Sequence, residues 1–222
     1  MKDSFLGRNG LSVALGALFL VFMIGQTYFG WHDYNAGQRE HSQPETTLGG
    51  YLTTGHFLEA TAENWESEFL QMFAYVLLTV RLFQKGSSES KDPESDEAVD
   101  RDPRLSSKKK DVPGPVKRGG FALTLYENSL SLAFLALFLF SIVLHAFGGA
   151  SDYNAEQLEH GERPVSVWEY AWTSRFWFES FQNWQSEFLA LLAMVVLSIW
   201  LRQRGSPESK PVDAPHSQTG GE

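Results

Sequence analysis

The stretch Asn-Trp-Glu-Ser-Glu-Phe-Leu at residues 64–70 returns at 183–189 as Asn-Trp-Gln-Ser-Glu-Phe-Leu, so six of seven positions repeat at an offset of 119. Both copies open directly into an apolar run. A chain built this way is expected to fold as two like halves, each passing from a polar stretch into a hydrophobic element at the same point. Asp33-Tyr34-Asn35-Ala36 with Gln38, Glu40 and His41 returns as Asp152-Tyr153-Asn154-Ala155 with Gln157, Glu159 and His160, seven of nine positions being identical. The flank Gln84-Lys85-Gly86-Ser87 is echoed by Gln203-Arg204-Gly205-Ser206.

The apolar runs set the fold class. Gly10 to Trp31 carries no charged residue, and those twenty-two residues make ~33 Å of helix, enough for a hydrocarbon core of ~30 Å. A signal peptide is the competing reading. The run is too long for one, no Ala-x-Ala site follows, and Leu130 to Ala150 repeats the pattern in mid-chain. Phe69 to Val80 is uncharged for only twelve residues, ~18 Å of helix. That helix therefore has to draw its outer turns from Asn64–Glu68 and its inner end from a snorkelling Arg81. Phe188 to Leu201, ending at Arg202, is the fourth run. The expectation is an all-α membrane protein: four transmembrane helices as two tandem homologous hairpins, a parallel internal repeat. The second and fourth helices should extend beyond the bilayer as amphipathic helices.

Charge sets the domains and the topology. Residues 1–83 form the first hairpin, 84–120 a linker, 121–203 the second hairpin and 204–222 a tail. Glu89 to Asp102 holds seven carboxylates and Arg104 to Arg118 six Lys/Arg, a composition that predicts disorder; the Pro- and Ser-rich tail reads the same way. Lys108, Lys109, Lys110, Lys117 and Arg118 are placed to rest on anionic lipid headgroups. The amino-terminal segment with Lys2 and Arg8, the linker and the tail, together with the flanking Arg81 and Arg202, hold fifteen of eighteen Lys/Arg, leaving Arg39, Arg163 and Arg175 in the other two loops. The positive-inside rule then puts both termini in the cytoplasm of a multi-pass inner-membrane protein. A net charge of -9 argues against nucleic acid as a partner, and the absence of cysteine removes thiolate chemistry.

The outer segments 32–68 and 151–187 each hold seven carboxylates, an acidic surface suited to divalent cations or simply to solvation. Glu68 and Glu187 stand out as the last charge before each short run, with Asn64 and Asn183 four residues earlier on the same helical face. Gln26 and His145 align under the repeat near the outer ends of the other two spans. Carboxylates at that depth usually face a bundle interior or a wet cavity. Glu68, Glu187, Asn64, Asn183, Gln26 and His145 form a candidate polar cluster for a cation or proton, or else a set of interhelical hydrogen bonds that pin the bundle. Asp33, Tyr34, Asn35, His41, Asp152, Tyr153, Asn154 and His160 read as structural: Asp and Asn cap the helix end or turn after each span, and Tyr suits the headgroup zone. Trp65 and Trp184 lie at the outer interface. No metal-ligand spacing, nucleophile elbow, phosphate loop or dinucleotide fingerprint is present, so neither a cofactor nor an enzymatic activity is expected.

The tandem Asp-Tyr-Asn-Ala and Asn-Trp-x-Ser-Glu-Phe-Leu motifs resemble those of a bacterial membrane-protein family catalogued only as a domain of unknown function. The resemblance covers residues 5–85 and 124–204, departs at Glu66 against Gln185, and implies a bacterial inner-membrane protein without a defined activity. The functional expectation is cation or proton sensing or transport; the alternative is a non-catalytic scaffold or anchor for a protein partner or a second copy. The topology predicts that the intact chain sediments with membranes, and that protease cuts residues 89–118 in inverted vesicles but not in right-side-out ones.

Overall fold

The computed structural model describes residues 4–220, so Lys2 lies outside the described residues. It is all-helical, with eight α-helices, two 3-10 turns and no strand among the described residues. The helices are α1 (Phe5–Glu40), α2 (Leu48–Tyr51), α3 (Gly55–Arg81), α4 (Gly114–Arg118), α5 (Gly120–Glu127), α6 (Ser129–Glu159), α7 (Val167–Tyr170) and α8 (Ser174–Leu197).

Among the described residues, two helices, α1 and α6, are long and apolar enough to cross a membrane, where four were expected. At 27 and 24 residues, α3 and α8 have sufficient length. α3 carries Glu59, Glu63, Glu66 and Glu68, and α8 carries Arg175, Glu179 and Glu187, which keep their hydropathy low. Contacts divide the chain into two compact units: the residues up to Ala62 with Leu144–Phe176, and Glu63–Val143 with the residues from Trp177 on.

In the first unit, both apolar helices run past the point where capping was expected. Asp33-Tyr34-Asn35-Ala36 and Asp152-Tyr153-Asn154-Ala155 remain helical, and the ends fall at Glu40 and Glu159. The physical reason lies in the asparagines, which bond a returning loop rather than their own helix end. The Asn35 side chain donates to the Thr46 carbonyl oxygen at 2.9 Å and accepts from the Thr46 N–H at 2.9 Å. Asn154 makes the same two bonds to Val165, at 2.8 and 2.7 Å. The histidines cap instead: Nδ1 of His41 lies 3.0 Å from the Gly37 carbonyl oxygen, and Nδ1 of His160 lies 2.8 Å from that of Glu156. Directly after each pinned loop, Thr47 and Ser166 N-cap the one-turn helices α2 and α7. Ser166 completes a capping box with Glu169, and those bonds, aided by Arg163, hold the exposed Glu169 carboxyl below its ordinary value.

Each one-turn helix ends in a buried tyrosine. Tyr51 and Tyr170 are 1% and 0% exposed, with their phenols against Gly30 and Gly149, where a Cβ would collide. Between α3 and α6 the backbones meet. A Cβ on Gly55 would lie 2.6 Å from the Asp152 nitrogen, and one on Gly148 would lie 2.5 Å from the Glu59 nitrogen. Small residues at such a crossing let helices approach to backbone contact.

The second unit joins the helix stems to the linker and the tail. Phe69 lies against Phe134 with ring centroids 6.5 Å apart. Ser90 Oγ accepts from the Gln84 N–H at 2.8 Å, and Ser209 Oγ accepts from the Gln203 N–H at 2.9 Å, so one turn closes both helix exits. Residues 84–120, expected to lack structure, carry 3-10 turns at Ala98–Asp100 and Pro103–Ser106 besides α4. The tail packs on the linker. Lys210 is 1% exposed, and its ammonium donates to the carbonyl oxygens of Gly86, of His216 at 3.0 Å and of Gln218 at 2.8 Å. Gly220 N–H donates to the Ser87 carbonyl at 2.9 Å, and the hydroxyls of Ser87 and Ser198 lie 2.8 Å apart. This order comes from hydrogen bonds among Ser, Asp, Gly and Lys, to which a hydropathy-based expectation is blind.

The α3–α6 crossing is directly testable. Gly148→Ala forces the two backbones apart and should cost about 1–3 kcal/mol, the usual range for overpacking. Gly16→Ala, where nothing lies within 4 Å of the new Cβ, should leave the thermal midpoint of the purified protein unchanged or slightly raised.

Candidate functional site

Four of the six residues of the expected cluster belong to the second unit, and two of those are brought together. The side chains of Glu68 and Glu187 come within interaction distance of each other. Two carboxylates offer only acceptors, so a hydrogen bond between them requires one shared proton. α3 and α8 are tied again one turn further on, where Gln71 Nε2 donates to the Glu187 carbonyl oxygen at 2.7 Å. Asn183 is half-buried and turned back on its own helix, donating to the Glu179 carbonyl at 3.1 Å, whereas Asn64 is exposed.

Glu68 is not the deep carboxylate of α3; it is exposed, and Glu66 is 0% exposed. Two residues on a helix are separated by ~200°, so the pair points to nearly opposite faces. Glu66 Oε1 accepts the indole N–H of Trp184 at 2.9 Å. Phe181 at 5.2 Å, Phe138 at 6.3 Å and Trp177 at 6.3 Å surround that indole. A buried carboxylate therefore sits at the edge of an aromatic cluster, where an indole N–H stabilises its charge. Trp65, the partner of Trp184 under the repeat, is half-buried.

Gln26 and His145 belong to the first unit. Gln26 Nε2 donates to Thr61 Oγ1 at 3.1 Å, an interhelical bond between α1 and α3. His145 is 0% exposed and stacks on Phe176 at 4.6 Å and 28°. A Glu59 carboxylate oxygen lies within 4.8 Å of a His145 ring nitrogen. Glu59 is 7% exposed and accepts the Tyr170 phenol at 3.5 Å. Carboxylate, imidazole and phenol are thus buried side by side, a set that can bond to a proton or a small cation.

The motif residues around this group make local contacts. Besides the asparagine clamps, Tyr34 packs on Tyr51 at 5.7 Å, and Tyr153 on Tyr170 at 5.7 Å. Tyr51 Oη lies 3.1 Å from His56 Nδ1. Burial, then the charges of Asp33 and Asp152 and the Tyr34 phenol, push the Tyr51 phenol above its ordinary value. Asp152 and Glu156 hold Arg175 at 3.4 and 2.5 Å, while Asp33 is exposed. Lys108, Lys109, Lys110, Lys117 and Arg118 are exposed as well.

A model of the family catalogued as a domain of unknown function, DUF6766, matches residues 2–221. The chain belongs to this family. No curated protein and no solved structure gives a significant match. The family match extends across the linker and tail, beyond the two hairpins on which the sequence resemblance rested. Sequence reasoning passed over Glu59 and Glu66. For Glu66 a signal existed, since it is the one position of the heptad that differs between the copies, and its counterpart Gln185 is exposed.

Removing the acceptor should separate burial from bonding at this position. Glu66→Gln keeps an oxygen for the Trp184 indole and should alter stability little. Glu66→Ala strands that N–H and should cost about 1–3 kcal/mol, read as a lower thermal midpoint and a shifted Trp184 indole resonance in 15N spectra.

Proposed function

We propose that the chain is a four-span inner-membrane protein of bacterial type, with both termini cytoplasmic, that takes up and releases a proton through the Glu68–Glu187 carboxyl pair. The carrying observation is the close approach of those two carboxyls. Two ionised carboxylates repel and one shared proton joins them, so gaining or losing that proton changes the contact between α3 and α8. The distribution of side chains supports the membrane setting. Among the described residues, fourteen polar or charged ones are buried against seven hydrophobic ones, while Leu11, Phe19, Phe22, Phe29, Leu139 and Phe140 are each about half exposed or more. Water would drive the opposite arrangement, whereas lipid tolerates apolar side chains outside and favours polar contacts between helices. α3 and α8 join α1 and α6 as spans by drawing on their polar amino-terminal turns. Arg81 and Arg202, at the carboxyl ends of the short runs, anchor the inner boundary.

Proteoliposomes loaded with a pH indicator test the proposal. Under an imposed pH gradient with valinomycin, wild type should acidify the lumen faster than empty vesicles. Glu187→Gln and Glu68→Gln should slow the change about tenfold, and Glu45→Gln, on an exposed ion pair with Arg39, should match wild type. Equal rates in wild-type and empty vesicles would return the chain to the scaffold reading.

A further inference from the structure

The second unit contains a cavity that neither the carboxyl pair nor Glu66 uses. It is a half-open cavity of about 740 Å³ where the carboxyl-terminal turns of α3 and the first turn of α6 meet the linker. Ligand pockets for small organic molecules run from ~300 to ~1,000 Å³. One wall is apolar, built by Val76, Leu77, Val80 and Leu130. The facing rim carries Glu89, Glu97, Asp100 and Glu127 against the single cation Lys91. Lys91 is already engaged: its ammonium lies 2.6 Å from Asp100 Oδ1 and 5.8 Å from the Phe83 ring centre. With that pair cancelled, the rim keeps three carboxylates.

Some of those carboxylates are held in place. The Tyr75 phenol donates to Glu89 Oε2 at 2.7 Å, and Glu97 Oε1 accepts from the Asp92 N–H at 2.7 Å. Tail residue Gly220, held to Ser87, closes part of the wall. An anion would meet like charge on this rim, and a wholly polar solute would leave the Val and Leu wall unmatched.

We infer that this cavity binds a cationic amphiphile, with an ammonium head among Glu89, Glu97 and Glu127 and an apolar tail along Val76, Val80 and Leu130. The ammonium can belong to an amine-headgroup phospholipid or to a free alkylammonium; both present the same chemistry. The inference is independent of proton uptake at Glu68 and Glu187.

Calorimetric titration of the full chain in a neutral maltoside detergent tests it, with hexyltrimethylammonium and hexyl sulfate as charge-inverted probes too short to partition strongly into micelles. The cation should bind saturably at one site, and hexyl sulfate should not bind. Glu89→Gln/Glu127→Gln should weaken the cation at least tenfold. Because Glu89 is bonded to Tyr75, Leu130→Trp provides a second variant that fills the cavity without touching a carboxylate, and it should abolish binding. Equal binding of both probes, or cation binding unchanged in both variants, overturns the inference. Native mass spectrometry distinguishes the sources. Retained aminophospholipid that hexyltrimethylammonium displaces assigns the site to lipid, and a lipid-free chain that still binds the probe assigns it to a free cation.

Discussion

Cohesion here depends on polar contacts and close backbone approach, because the large apolar side chains of α1 and α6 face outward. In the first unit, α3 and α6 meet through Gly55 and Gly148, and α1 reaches α3 through Gln26 and Thr61. In the second, α3 reaches α8 through Glu66 and Trp184 and through Gln71 and Glu187. A buried polar group without a partner is costly in any medium, so these few contacts select one helix register among many that apolar packing alone would tolerate.

The two copies divide their labour. Several positions identical at the offset of 119 do local work: Asn35 and Asn154 pin loops, Tyr51 and Tyr170 fill the seats at Gly30 and Gly149, and Ser90 and Ser209 close the helix exits. Positions that differ include the buried ionisable groups: Glu66 against Gln185, His145 against Gln26, and Glu59 against Phe178.

The linker and tail also belong to the folded molecule. Lys210 buried among carbonyl oxygens ties the tail to Gly86, and Arg202 Nη2 donates to the Ala214 carbonyl at 3.3 Å. Backbone oxygens screen the ammonium from its loss of water, although burial, and then the nearby Arg202, still press the Lys210 amine below its ordinary value. Polar turns of this kind order a segment without a hydrophobic core, which explains how a stretch with the composition of a disordered linker forms one wall of a cavity.

Periodicity, charge placement and repetition were enough to determine the helical class and both long apolar helices. Each of these follows from local composition or from the offset between copies. Helix face was decided only in three dimensions. The sequence placed the deep carboxylate at Glu68, but the rotation of α3 buries Glu66 and leaves Glu68 at the surface. Continuation of α1 and α6 through Asp33–Ala36 and Asp152–Ala155 was likewise decided by partners eleven residues away, Thr46 and Val165. A side chain's partner depends on which surfaces meet after folding, and spacing along one strand of chain does not encode that.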